Sequence, residues 1–230
     1  MVKGLYSGDD WDQNSYEKYV NKSKKKLIIM EKKPIKVNTG DYRTWFESAA
    51  VSVFLGMFSW NGISEASLRQ GCSGFGKMRH GDSRLSRKFS ILEDFTPGFC
   101  PKFNSDGEVA SSSLALIDKG ELKNTLVSSR SAKEYGLNSN FAESGEYLRS
   151  PKMLPGKLNQ ENVIKTLDKG LFLSNIHYLN WSDNPGGRIT GLTRYACFWV
   201  EGGEIIAPIE TMRFDDSFYR FFGDQLIEVE

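Results

Sequence analysis

Two histidines and three cysteines are the side chains of this sequence best suited to nucleophilic or metal chemistry. Cys72 and His80 come nearest to a thiol–imidazole pair, in a stretch that also holds Gly71, Gly74 and Gly76. A nucleophilic thiol needs its base within hydrogen-bond reach and a third group to orient that base. A hydrolase built on Cys72, His80 or His177 is therefore one expectation, set against a loop histidine beside a half-buried cysteine. His177, with Tyr178 and Trp181 close by, reads as a structural histidine of a strand. Cys197, between Ala196 and Phe198, reads as a small core residue. A His-based zinc site takes two or three imidazoles, and His80 and His177 lie far apart. No C-x-x-C pair joins Cys72, Cys100 and Cys197, which argues against a disulfide framework or zinc knuckle and suits a reducing cytoplasm. Spacing alone thus assigns no catalytic, cofactor-binding or metal residue.

Three weaker patterns resolve into structure. Gly186-Gly187-Arg188-Ile189-Thr190-Gly191 has the glycines of a phosphate loop, but no lysine follows and no helix is expected after it. Asp215-Asp216 would diverge on a strand, so they are expected at a helix N-terminus instead of forming an acid–base pair. Asn21-Lys22-Ser23 and Asn180-Trp181-Ser182 fit the glycosylation pattern, which has no meaning in a cytoplasmic chain.

The elements that must position these residues follow from periodicity. Asp12 to Glu31 reads as a helix, with Tyr16, Val20, Leu27 and Met30 near helical spacing and Pro34 beyond it. A long helix is expected from Glu47 to Arg69, apolar nearly all round in its first half and ended by the glycines that follow. Lys88 to Phe95 and Leu114 to Ile117 read as strands, and Lys119-Gly120 turns the chain into a returning strand, Leu122 to Val127. One helical turn is expected at Ser131 to Tyr135 and an amphipathic helix from Asn159 to Leu167. Strands follow at Leu171 to Leu179, Tyr195 to Val200 and Glu204 to Ile209, then a last helix at Ser217 to Phe222. The fold class is α+β: a mostly antiparallel β meander packed on a long core helix.

Length and charge narrow the function. A chain of 230 residues, 39% apolar and 26% charged, can sustain a full core. A net charge of +1 offers no field to draw nucleic acid or an anionic membrane. The lysine run Lys24-Lys25-Lys26 reads as a solvated helix face, since no arginine cluster accompanies it. Met1 to Asp12 is polar, so no secretory signal is expected, and the apolar run Ala49 to Trp60 is too short to span a bilayer. A lone helix ahead of the sheet suggests that residues 1–35 are an N-terminal segment left from a longer chain, preceding a domain at 36–230.

Within that domain several blocks follow one another in a recognisable order. They are Phe103-Asn104-Ser105-Asp106-Gly107-Glu108, Leu116-Ile117-Asp118-Lys119-Gly120-Glu121-Leu122 and Ser128-Ser129-Arg130-Ser131-Ala132-Lys133-Glu134-Tyr135-Gly136. Downstream come Gly170-Leu171-Phe172-Leu173, Thr190-Gly191 and Phe198-Trp199-Val200-Glu201-Gly202-Gly203-Glu204-Ile205, closed by Met212-Arg213-Phe214. This succession resembles the C-terminal domain of the TldD/PmbA (TldD/TldE) family, historically labelled modulators of DNA gyrase.

The resemblance implies a pair of subunits, a zinc metallopeptidase and a partner without the zinc site, that together trim small unfolded peptides. The active subunit carries H-E-x-x-x-H on its long helix, two imidazoles on one metal with a glutamate as base. Laid over that motif, this sequence reads Gly56-Met57-Phe58-Ser59-Trp60-Asn61, and Cys100 lacks the context of the family's third ligand. The chain therefore resembles the non-catalytic, PmbA/TldE-like branch. The expected role is assistance to proteolysis or peptide maturation through a homodimer, or a heterodimer with a TldD-like subunit that alone would hold zinc. The family's old label leaves a DNA-topology binding module as a further alternative. The stretch between Thr190-Gly191 and Phe198 is shorter than the family's usual pattern.

Overall fold

Asp12 opens the first helix: its carboxylate accepts a hydrogen bond from the Asn14 amide, 3.0 Å away, and α1 runs over Gln13–Met30. The computed structural model describes residues 1–6 and 10–230. The chain divides into two compact units.

The first unit comprises Met1–Val53, Leu158–Leu179 and Gly191–Phe214. It holds α1, β1 (Thr44–Phe46), the start of α2 (Ser48–Phe58), α6 (Val163–Leu167), most of two 14-residue strands, β6 (Gly170–Asp183) and β7 (Arg188–Glu201), and β8 (Glu204–Pro208). Strand order is β1-β6-β7-β8, and β9 (Arg213–Ser217) also pairs with β7. Alternation along β6 and β7 sends residues to two apolar layers. Phe172, Ala196, Phe198 and Val200 pack with Ile29 and Met30 of α1, while Leu171, Leu173, Cys197 and Ile209 pack with Tyr42, Phe46 and Trp199. Coverage on both faces shows in β6 as an unbroken run of buried residues from Gly170 to Ile176. β1 joins β6 in parallel, Thr44 opposite Leu171. Gly170 permits that approach, because a Cβ there would stand 2.1 Å from the Arg43 carbonyl oxygen.

The second unit comprises Phe54–Lys157, Asn180–Thr190 and Asp215–Glu230. Its antiparallel sheet runs β4 (Glu121–Leu122), β3 (Ser113–Asp118), β2 (Ile91–Asp94) and β5 (Pro151–Met153). The core is aromatic: Phe58 meets the rings of Phe75, Phe218 and Phe89 edge-on, and Phe75 stacks on Phe218.

The α+β class holds, with one mixed and one antiparallel sheet in place of a single meander on a long helix. The long helix is the main correction. It stops at Phe58, and α3 (Glu65–Arg69) starts afresh after Ser64, whose hydroxyl caps the Ser67 amide. The break lies at Asn61, left-handed at φ 57°, and Gly62, whose absent Cβ would fall 2.6 Å from the Phe58 carbonyl oxygen. Gly76 opens a short helix, α4 (Gly76–His80), instead of ending one. The strand expected at Leu122 to Val127 shrinks to β4, since the Leu126 amide bonds Ile63 and α5 (Ser129–Tyr135) follows. Asp215 and Asp216 lie on β9, which runs directly into the last helical segment, 218–224, so they precede that helix but belong to the strand. Lys119-Gly120 does turn the chain, with both residues at positive φ. No helix among the described residues is long and apolar enough to cross a membrane.

Candidate functional site

At the end of α2 the six residues aligned with the metal motif point to packing. Met57 and Phe58 are buried, Gly56 offers no side chain, and the Ser59 hydroxyl accepts a hydrogen bond from the Leu148 amide. The Trp60 carbonyl accepts from the Trp181 indole at 2.8 Å, and the Asn61 amide oxygen accepts from Ser67. An amide and a hydroxyl already engaged are a poor donor set for zinc, which favours imidazole, thiolate and carboxylate. These residues do not fit the metal. Among the described residues no three of His, Cys, Asp or Glu gather where they could hold an ion.

The thiol–imidazole candidates are placed apart in role. Cys72 is exposed, its thiol 3.5 Å from the Gln70 carbonyl and its own carbonyl bonded by Asn184. His80 is exposed at the end of α4, and no hydrogen bond joins it to Cys72 among the described contacts. Cys100 packs beside Phe95, Ala110 and Phe141. Cys197 is buried in β7, and burial pushes its thiol up, away from the thiolate that would react. Gly186 and Gly187 form the turn of the β6–β7 hairpin, where the Asp183 carboxylate accepts from the Gly186 amide.

What the second unit does gather is acid. Glu146 accepts from the Ser64 hydroxyl at 2.6 Å, the Ala66 amide at 2.8 Å, and the amide and hydroxyl of Ser128 at 2.9 and 3.0 Å. Burial pushes its carboxyl up, but these donors outweigh burial and hold it below the usual carboxylate range. Glu65 is treated alike: burial raises it, and Thr125, Arg69 and Arg79 bring it down again. Glu93 is buried and accepts only from the Arg149 and Ser150 amides, so burial wins and its carboxyl is raised. These acids tie loops together; Glu146, itself at φ 50°, joins α3 to α5.

The first unit gathers bases instead. Lys26 of α1 is 13% exposed, pairs with Glu47 and lies 5.2 Å over the Phe172 ring. Burial lowers its ammonium despite Glu47. Lys22 also reaches Glu47, at 3.0 Å. Farther along β6 and β7, Arg194 donates from Nη1 to His177 Nδ1 at 2.8 Å. The Arg194 guanidinium lies 4.6 Å over the Tyr195 ring, and the His177 and Tyr178 rings are 4.0 Å apart. Tyr178 and Tyr195 are both left-handed, at φ 49° and 63°. Sequence reasoning singled out His177 with Tyr178 beside it but gave Arg194 and Tyr195 no role, because no residue type announces a left-handed tyrosine.

The profile of the PmbA/TldA metallopeptidase C-terminal domain matches residues 39–230. The chain belongs to the PmbA/TldD family. A search of curated proteins returned no match. Among solved structures, a candidate modulator of a DNA gyrase from Thermotoga maritima is 18% identical, with a TM-score of 0.75 over 94% of this chain and 50% of that one. A candidate modulator of DNA gyrase from Bacteroides thetaiotaomicron is 17% identical, with a TM-score of 0.71 over 90% and 45%. TldE from Thermococcus kodakarensis is 18% identical, with a TM-score of 0.68 over 90% and 48%. At such identities the likeness is one of fold, and the chain spans about half the length of each PmbA/TldD-like structure it matches.

Proposed function

We propose that this chain is a non-catalytic member of the PmbA/TldD family that assists the proteolysis or maturation of small unfolded peptides by dimerising. The partner is a second copy or a TldD-like subunit that supplies the zinc chemistry. The observation that carries this reading is the end of α2: in a metallopeptidase family, residues 56–61 offer no imidazole, thiolate or carboxylate, Met57 and Phe58 are buried, and Ser59 and Asn61 are hydrogen-bonded within their own unit. The lysines of α1 add little to a nucleic-acid reading, because Lys22 and Lys26 already engage Glu47 and no arginine joins Lys24 and Lys25 there.

Metal analysis and peptide hydrolysis of the purified chain test the proposal. The expected result is zinc well below one per chain, no cleavage alone, and co-purification with a TldD-like chain carrying an intact H-E-x-x-x-H. Stoichiometric zinc together with cleavage by the isolated chain would overturn it.

A further inference from the structure

His177 and Arg194 lie on β6 and β7 within the first unit, and each is followed by a tyrosine in left-handed backbone. A bulky aromatic at positive φ is a true outlier, and such strain concentrates where side chains are aimed at a ligand. Two on neighbouring strands of one hairpin, both touching the same arginine–histidine pair, make a built arrangement.

The chemistry of the pair is specific. Because the guanidinium is a donor only, its bond to Nδ1 makes that nitrogen the acceptor, so the imidazole is neutral with its proton on Nε2. Tyr195 covers the guanidinium's face, while the donors lie in its plane and stay available at its edge. No carboxylate pairs with Arg194 among the described residues, although the buried acids of the other unit are met by several donors each. A half-buried guanidinium, an Nε2–H and phenol rings, with Tyr178 73% exposed, therefore stand ready for an anion. One net positive charge beside a neutral imidazole matches a singly charged carboxylate better than a doubly charged phosphate.

We propose that Arg194 and His177 bind a carboxylate of the peptide, with Tyr178 and Tyr195 flanking the adjoining residue. This rests on the peptide-handling reading and adds an anchoring point to it. The carboxylate has two sources, a free C-terminus or an Asp or Glu side chain.

Fluorescence anisotropy on the full chain distinguishes them with three N-terminally labelled, unstructured decapeptides. One carries a free C-terminus and no acidic residue, the second is its C-terminal amide, and the third is the amide with one internal glutamate. Either carboxylate-bearing peptide should bind roughly tenfold tighter than the plain amide, and the one that does names the source. Arg194→Met should bring that ratio close to one, Arg194→Lys should keep part of it, and His177→Phe should reduce it. The ratio is taken within each variant, so a partly unfolded sample does not imitate the effect. Equal binding of all three peptides by the unaltered chain overturns the carboxylate anchor and leaves peptide handling standing. A preference that survives Arg194→Met overturns the assignment to this pair. Binding of no peptide overturns both readings.

Discussion

Glu146 in the second unit accepts four hydrogen bonds and is 1% exposed, whereas the Arg194 side chain in the first unit makes, among the described residues, one hydrogen bond and one ring contact and is half-buried. The two are opposite solutions to placing charge in a fold. A saturated buried charge holds segments in place and has nothing left for a ligand. A half-buried one with few partners keeps donors free for a ligand. Polar groups in the middle of a family domain therefore differ in meaning by what already satisfies them, not by how deeply they lie.

The sharpest way to break this contrast is to remove the saturated charge. Glu146→Ala orphans the Ala66 and Ser128 amides and the Ser64 hydroxyl, and urea denaturation should show a loss of about 3–5 kcal/mol. Lys26→Met comes next, since it leaves Glu47 with only Lys22, and should cost about 1–3 kcal/mol in the same measurement. Lys26 itself should make stability rise with pH below its ordinary 10.5: the folded form binds the proton less well, so folding is favoured as the proton leaves. Lys26→Met should flatten that slope.

Acid titration sharpens the contrast inside the second unit. Glu146 and Glu65 are held low, so their contribution is present above pH 4.5 and lost as pH falls through their folded values. Glu93 is held high, so the stability it permits is full below 4.5 and declines as pH rises through its folded value. Unfolding of Glu146→Gln followed by intrinsic fluorescence from pH 3 to 7 should be less acid-sensitive than that of the unaltered chain. Glu93→Gln should remove a loss on the opposite side. The smallest effect belongs to the strained hairpin: Tyr178→Gly should raise the melting temperature slightly, by about 1 kcal/mol in stability, while weakening carboxylate preference. A fall in stability there would show that Tyr178 is held for packing.

Much of the fold was legible where local chemistry fixes it. The helix beginning near Asp12, Lys119-Gly120 as a turn and the start at Asn159 all act through their nearest neighbours. The β8 hairpin across Gly202-Gly203 followed for the same reason. The misses were decided at a distance. Apolar residues on both sides of Asn61 look like one helix, yet the left-handed Asn61 and the close approach of Gly62 to Phe58 interrupt it. Asp215 and Asp216 suit a helix start, yet pairing with β7 takes them into a strand. β1 is short and gains its partner far along the chain. Of the candidate site, the unsuitability of residues 56–61 for zinc could be read from residue types alone. The Arg194–His177 pair could not, because it depends on strand register and on two backbone angles.

The segmented make-up of the two units bears on how the chain is made. Thr44 waits for Leu171, so β1 stays unpaired while most of the second unit's residues leave the ribosome. The second unit in turn lacks Trp181 and Phe218, central rings of its core, until the hairpin and the final residues arrive. Neither half can close early, and an apolar stretch such as Ala49 to Phe58 remains exposed through most of synthesis. Production of this chain should therefore respond to chaperone supply and slower translation more than to any change at its surface.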